Sequence, residues 1–129
     1  MTRRRRHDDR GSAVVEFTLV SALVTFLFLA VVQLAVVVHV RNTLVDCAGD
    51  GARFGALAGN GPQSAVQRTQ QLVTADLSTR YAQDVSAGYE TVDGVATVVV
   101  RVRAPLPVAG LFGVGSVLSA TGHAVAERP

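Results

Sequence analysis

The sequence predicts an α+β chain: a long N-terminal transmembrane helix that extends outward, then a second helix packed on a small three-stranded antiparallel sheet. Three observations predict it. No charged side chain occurs from Phe17 to Val38, and about 22 residues at 1.5 Å per residue make roughly 33 Å of helix, enough for a hydrocarbon core of about 30 Å. A turn-forming break, Gly59-Asn60-Gly61-Pro62, separates this helix from a second stretch with helical apolar spacing. From Val85 the apolar period falls to two, and Asp93-Gly94 supplies a tight turn between two strand-like runs.

Residues 1–11 read as a basic leader too short and polar to fold alone. Arg3, Arg4, Arg5, Arg6 and Arg10 against Asp8 and Asp9 leave a net +3 ahead of Gly11 and −1 for the remainder. Arginines directly before an apolar run place the N-terminus in the cytoplasm and the C-terminal region outside. The same cluster could neutralise phosphates, but a membrane segment follows within a few residues, so no nucleic-acid partner is expected. An ordinary secretory signal is disfavoured, because the apolar run is too long and ends in His39-Val40-Arg41-Asn42 rather than a small-residue cleavage site.

The transmembrane helix covers residues 12–40 and a helical extension residues 41–59. In the extension Leu44, Val45, Ala48, Ala52 and Ala56 recur at spacings of three and four, with no proline before Pro62. Gly51, Gly55 and Gly59 are four apart, and so are Ala48, Ala52 and Ala56. Residues this small let another backbone approach closely; the competing reading is a helix weakened by about 1 kcal/mol per glycine and fraying toward its end. Residues 60–129 form one small extracytoplasmic α+β domain, too small for a large catalytic core. Ser64 and Gln67 form a capping box at the start of its helix, whose apolar stripe is Val66, Leu72, Val73, Leu77 and Tyr81, with Gln67, Arg68, Gln71 and Arg80 toward solvent. In the strand from Val95 to Arg103, Ala96, Val98, Val100 and Val102 face the helix and Thr97, Arg101 and Arg103 face water. Pro105 and Pro107 end it. An apolar loop around Leu111 and Phe112 then leads to a last strand near Val117 to Ala126. That loop is either a partner-docking patch or a cover for its own sheet.

Composition restricts the chemistry. Cys47 is the single cysteine, which excludes an intrachain disulfide and four-cysteine zinc sites. It reads as a small apolar residue on a helix face or as a partner in an intermolecular disulfide. His7, His39 and His123 have no clustered acidic or cysteine partners, and no Gly-rich phosphate loop follows a strand. The expectation is therefore a non-enzymatic protein with no cofactor, no metal and no small-molecule substrate. Glu16 stands out, since a carboxylate at a membrane segment is functional by default, although one at the edge can also snorkel to the interface.

Arg10-Gly11-Ser12-Ala13-Val14-Val15-Glu16-Phe17 resembles the processing site of type IV-like prepilins, in which a basic leader ends at a glycine and glutamate is the fifth residue of the mature chain. The start G-S-A-x-V-E-F, the element Gly51-Ala52-Arg53-Phe54-Gly55 after the membrane helix and a small β region resemble TadE-like pseudopilins, the minor pilins of the Tad (Flp) tight-adherence pilus system. The resemblance implies a single-pass cytoplasmic-membrane protein, cut by a prepilin peptidase between Gly11 and Ser12. Its partners would be other pilin or pseudopilin subunits and the Tad assembly machinery, in adhesion or secretion. It further implies that Glu16, beside Phe17, sets helix register during assembly, because a new amine at Ser12 and the Glu16 carboxylate each lower the cost of keeping the other in an apolar bundle. A second reading, from the residues alone, is an uncleaved signal-anchored protein whose outer domain is a binding module.

Overall fold

The computed structural model describes residues 5–107 and 117–127, and among these the side chains from Asp9 onward. It contains a long helix, a second helix and a three-stranded antiparallel sheet, an α+β fold. Two compact units make up the chain, Met1–Ala35 and Val36–Pro129.

The described part of the first unit is helix. Helix α1 spans Arg5–Ala56, 52 residues, and thus begins before Gly11 rather than at Ser12. Between Gly11 and Gly49 no glycine or proline interrupts it, so no residue removes a backbone donor or favours a bend. From Phe17 to Leu34 it carries no charged side chain, and its large hydrophobic residues there are exposed.

The second unit starts at Val36, inside the stretch the sequence assigns to the membrane helix, and includes the last turns of α1. Helix α2 is Pro62–Asp76, followed by a short 3-10 turn, Thr79–Ala82, and by strands β1 (Asp84–Val92), β2 (Val95–Pro105) and β3 (Val117–Val125). The strands lie in the order β1-β2-β3, each antiparallel to its neighbour. Asp93 at φ 49° and Gly94 at φ 79° close the β1–β2 hairpin; both central residues of a two-residue primed turn need positive φ, which aspartate tolerates and glycine favours.

One face of the sheet carries Val98, Val100, Val102 and Ala104 of β2 with Leu118 and Ala120 of β3, all buried. They form one core with Val40, Leu44, Cys47, Ala48, Ala52 and Ala56 of α1 and Ala65 and Val73 of α2. Fully burying a side chain such as Leu44 is worth roughly 1.5–3 kcal/mol. The α1 contribution is mostly alanine and glycine, so its backbone lies close to its neighbours. A Cβ added at Gly122 of β3 would run into the backbone of Ala48 and Gly49. Five residues further along, the Glu127 amide donates to the Ala56 carbonyl at 2.8 Å. These contacts advance together, about 16 Å along the strand and about 11 Å along the helix. Within this unit α1 and β3 therefore run side by side in the same direction.

The structure differs from the sequence expectations at several places. Helix α2 starts at Pro62 with Gly61 as its cap and no side-chain capping bond. Proline suits the first helical position, having φ preset and no amide hydrogen to satisfy, so Ser64 and Gln67 fall inside the helix and form no capping box. Tyr81 lies on the 3-10 turn, beyond the end of α2. The fully buried positions of α2 are Ala65, Thr69 and Val73, two of them too small or too polar to register in an apolar stripe. In β2, Ala96 is exposed and Thr97 is buried. Residue 96 sits one step from the hairpin tip, and Thr97 is flanked by Glu90 on β1 and Val125 on β3. Pairing also continues through Pro105, which sits opposite Val117 at the strand end, where a missing donor is tolerated.

Candidate functional site

The features that invite a functional reading lie on α1. In its first part, Gly11 and Ser12 are both helical, and the space around Gly11 is open. Ser12 and Glu16 are four residues apart, which places them on one side of the helix with Cβ atoms about 5–6 Å apart. Glu16 is exposed, and Phe17 beside it is 75 % exposed. The Thr18 hydroxyl donates to the Val14 carbonyl at 2.8 Å, so that polar group is satisfied within the helix. From here α1 is long and apolar enough to cross a membrane, and none of its most apolar stretch is buried inside the chain. An uncharged helix with apolar side chains all round must be covered by something other than water, and a helix satisfies its backbone polar groups internally, as lipid requires.

In its second part, α1 turns a face of small residues to α2. A Cβ at Gly51 would collide with the Thr69 hydroxyl, and one at Gly55 would come within 2.6 Å of the Ala65 Cβ and 2.9 Å of the Gly61 carbonyl oxygen. The Thr69 hydroxyl is itself held, donating to the Ala65 carbonyl at 2.8 Å. Gly59 differs from these two. It follows the helix, has φ +86°, and has open space where a Cβ would stand, so it serves the turn and not helix packing. Arg53 points to solvent beside Asp50 at 3.9 Å, and Phe54 lies under the Arg68 guanidinium at 5.8 Å. Of the Gly51-Ala52-Arg53-Phe54-Gly55 element, the small residues thus build the α1–α2 contact, and Arg53 and Phe54 are exposed.

Beside this contact is a hollow of about 440 Å³ whose lining includes Asp46, Asp50, Asp76, Arg53, His123 and Cys47. Cys47 is buried, and its thiol donates to Asp76 Oδ2 at 3.7 Å. Burial, and then the negative charge of Asp76, push the thiol pKa up to about 11. A thiol held protonated is a poor nucleophile, and a buried one is badly placed for an intermolecular disulfide. Among the described residues, no three His, Cys, Asp or Glu side chains are grouped so as to hold a metal ion. Leu111 and Phe112 lie outside the described residues.

Gly11 and Glu16 belong to the first unit, at a helix start, and Gly51 and Gly55 belong to the second, at a helix–helix contact. Sequence reasoning missed Gly122 and Thr69, the residues that receive the backbone of α1; neither carries a periodicity signal. The model of the TadE-like protein family matches residues 11–53, the stretch that contains Gly11, Glu16 and Gly51-Ala52-Arg53. The resemblance read from the sequence holds over that stretch. No curated protein and no solved structure matches the chain.

Proposed function

We propose that this chain is a TadE-like pseudopilin: a non-enzymatic single-pass protein of the cytoplasmic membrane, matured by a prepilin peptidase and assembled into, or at the base of, a Tad-type pilus or related secretion filament. The observation that carries the proposal is the spacing from Gly11 to Glu16 at the head of a helix whose most apolar stretch is not buried among the described residues. The family match over residues 11–53 supports it. In this reading the arginine-rich leader stays in the cytoplasm and the second unit lies outside.

Cleavage after Gly11 removes the positively charged leader and leaves an α-amine on Ser12, one helical turn from the Glu16 carboxylate. The opposite charges lower the cost of holding each in an apolar bundle, within one subunit or between neighbours. A helical peptide bond is awkward for a protease that needs an extended substrate, so the first turns must open before the cut. Glycine eases this, since it is about 1 kcal/mol less favourable than alanine in a helix.

The test is the intact mass and N-terminal sequence of the protein from membranes of its natural host, with and without the candidate peptidase. A peptidase-dependent start at Ser12 is expected. A chain that keeps Arg3 to Gly11 in both cases would overturn the proposal in favour of an uncleaved, signal-anchored binding module.

A further inference from the structure

The two edges of the sheet are unlike. Edge strand β1 carries two carboxylates, Asp84 and Glu90, and Glu90 is paired with Arg101 on β2. Edge strand β3, Val117–Val125, has no carboxylate, lysine, arginine or proline in nine residues. Its register against β2 runs unbroken from Thr97↔Val125 to Pro105↔Val117, without a bulge. Among the described residues nothing pairs with its outer side, and Val117 and Val125 are 56 % and 63 % exposed. Charges, prolines and bulges are what ordinarily keep an edge strand from pairing with another chain; β3 has no carboxylate, lysine, arginine, proline or bulge.

Direction then selects the partner. Both β1 and β3 are antiparallel to β2, so they run parallel to each other, and α1 runs along β3 in the same sense, entering this unit at Val36. Two β3 edges joined antiparallel about a two-fold axis would put their Val36 ends on opposite sides. A β3 edge joined in parallel to a β1 edge keeps every Val36 end on one side, which copies anchored in one bilayer require. We propose that the outer edge of β3 takes the β1 edge of a second copy of this chain as a parallel strand. The contact is head-to-tail, so it propagates instead of closing as a pair. The inference rests on the anchored reading given above.

The test is oxidative cross-linking of the full-length chain in native membranes, in a Cys47→Ala background. Thr121→Cys combined with Ser86→Cys, or with Asp84→Cys or Gly88→Cys to cover neighbouring registers, is expected to give a ladder of dimers and longer species, while each single substitution gives none. Adding Ser119→Glu, which in this register sets a like charge beside Asp84, is expected to abolish the ladder with the circular dichroism unchanged. Dimers and nothing longer from Thr121→Cys alone would overturn the proposal in favour of a two-fold β3–β3 contact; the absence of cross-links in all three combinations would overturn it outright. N-terminal sequencing of the same sample separates the two proposals. A ladder on chains that keep their leader defeats the prepilin reading alone, and a Ser12 start without a ladder defeats the edge contact alone.

Discussion

Gly122, opposite Val100 of β2, and Gly88, opposite Val99, sit on the two edge strands of the same small sheet, and a single methyl group tells them apart. At Gly122 the obstacle is the main chain of Ala48 and Gly49, which cannot turn aside; at Gly88 there is open space. Gly122→Ala is expected to destabilise the fold by about 2–3 kcal/mol, as overpacked cores do, and Gly88→Ala to be neutral or slightly stabilising, within about 1 kcal/mol. Urea unfolding of the two variants measures both. Cys47 gives a pH signature of its own. Its thiol pKa rises from 9.0 to about 11 on folding, so the unfolded chain loses the proton first. The stability this thiol contributes is complete below pH 9 and is lost as the pH climbs toward 11. The fall in urea midpoint between pH 8.5 and pH 10.5 should be smaller in Cys47→Ala than in the parent, and equal falls would refute it. Glu16→Ala is expected to leave the Ser12 start intact and to remove the subunit from assembled filaments, read by N-terminal sequencing and by immunoblots of sheared pili; unchanged incorporation would count against a role in register.

At the scale of elements, what the sequence discloses depends on the strength of the local signal. The membrane-length helix, the hairpin at Asp93-Gly94 and the alternation in β2 are legible because each is a run of like choices: no charge over several turns, positive φ at two adjacent positions, β-branched residues at every second place. The start of α2 misleads because two signals compete, Ser64 with Gln67 against Gly61 with Pro62, and the proline prevails through its fixed backbone angle. The α1–α2 contact is half legible. The repeat of small residues marks it, but a stripe of glycines does not say which of them meet a neighbour, and Gly59 belongs to the turn. Gly122 could not have been found, since its role comes entirely from a helix far away in sequence. At the helix start, Gly11 and Glu16 stand out through the resemblance of Arg10 to Phe17 to a prepilin processing site, and the family match covers the same stretch.

For the molecule as a whole, the division at Val36 makes a direct prediction. A chain beginning at Val36 contains every described residue of the core, since none of those in that cluster precedes it. It is expected to be soluble without detergent and to unfold in a single cooperative transition, whereas the full chain should stay with the membrane after carbonate extraction. A molten or aggregated product would mean that the first unit is needed for folding. The side-by-side course of α1 and β3 has a mechanical side as well. Ladder hydrogen bonds lie across the strands, so tension applied along α1 and carried into β3 loads the whole β2–β3 ladder in shear, all bonds at once, where a pull across the strands would peel them one by one. The hydrogen bond that the Glu127 amide donates to the Ala56 carbonyl couples the two load paths at the far end. This unit is therefore stiffer to a pull along α1 than to one across its strands.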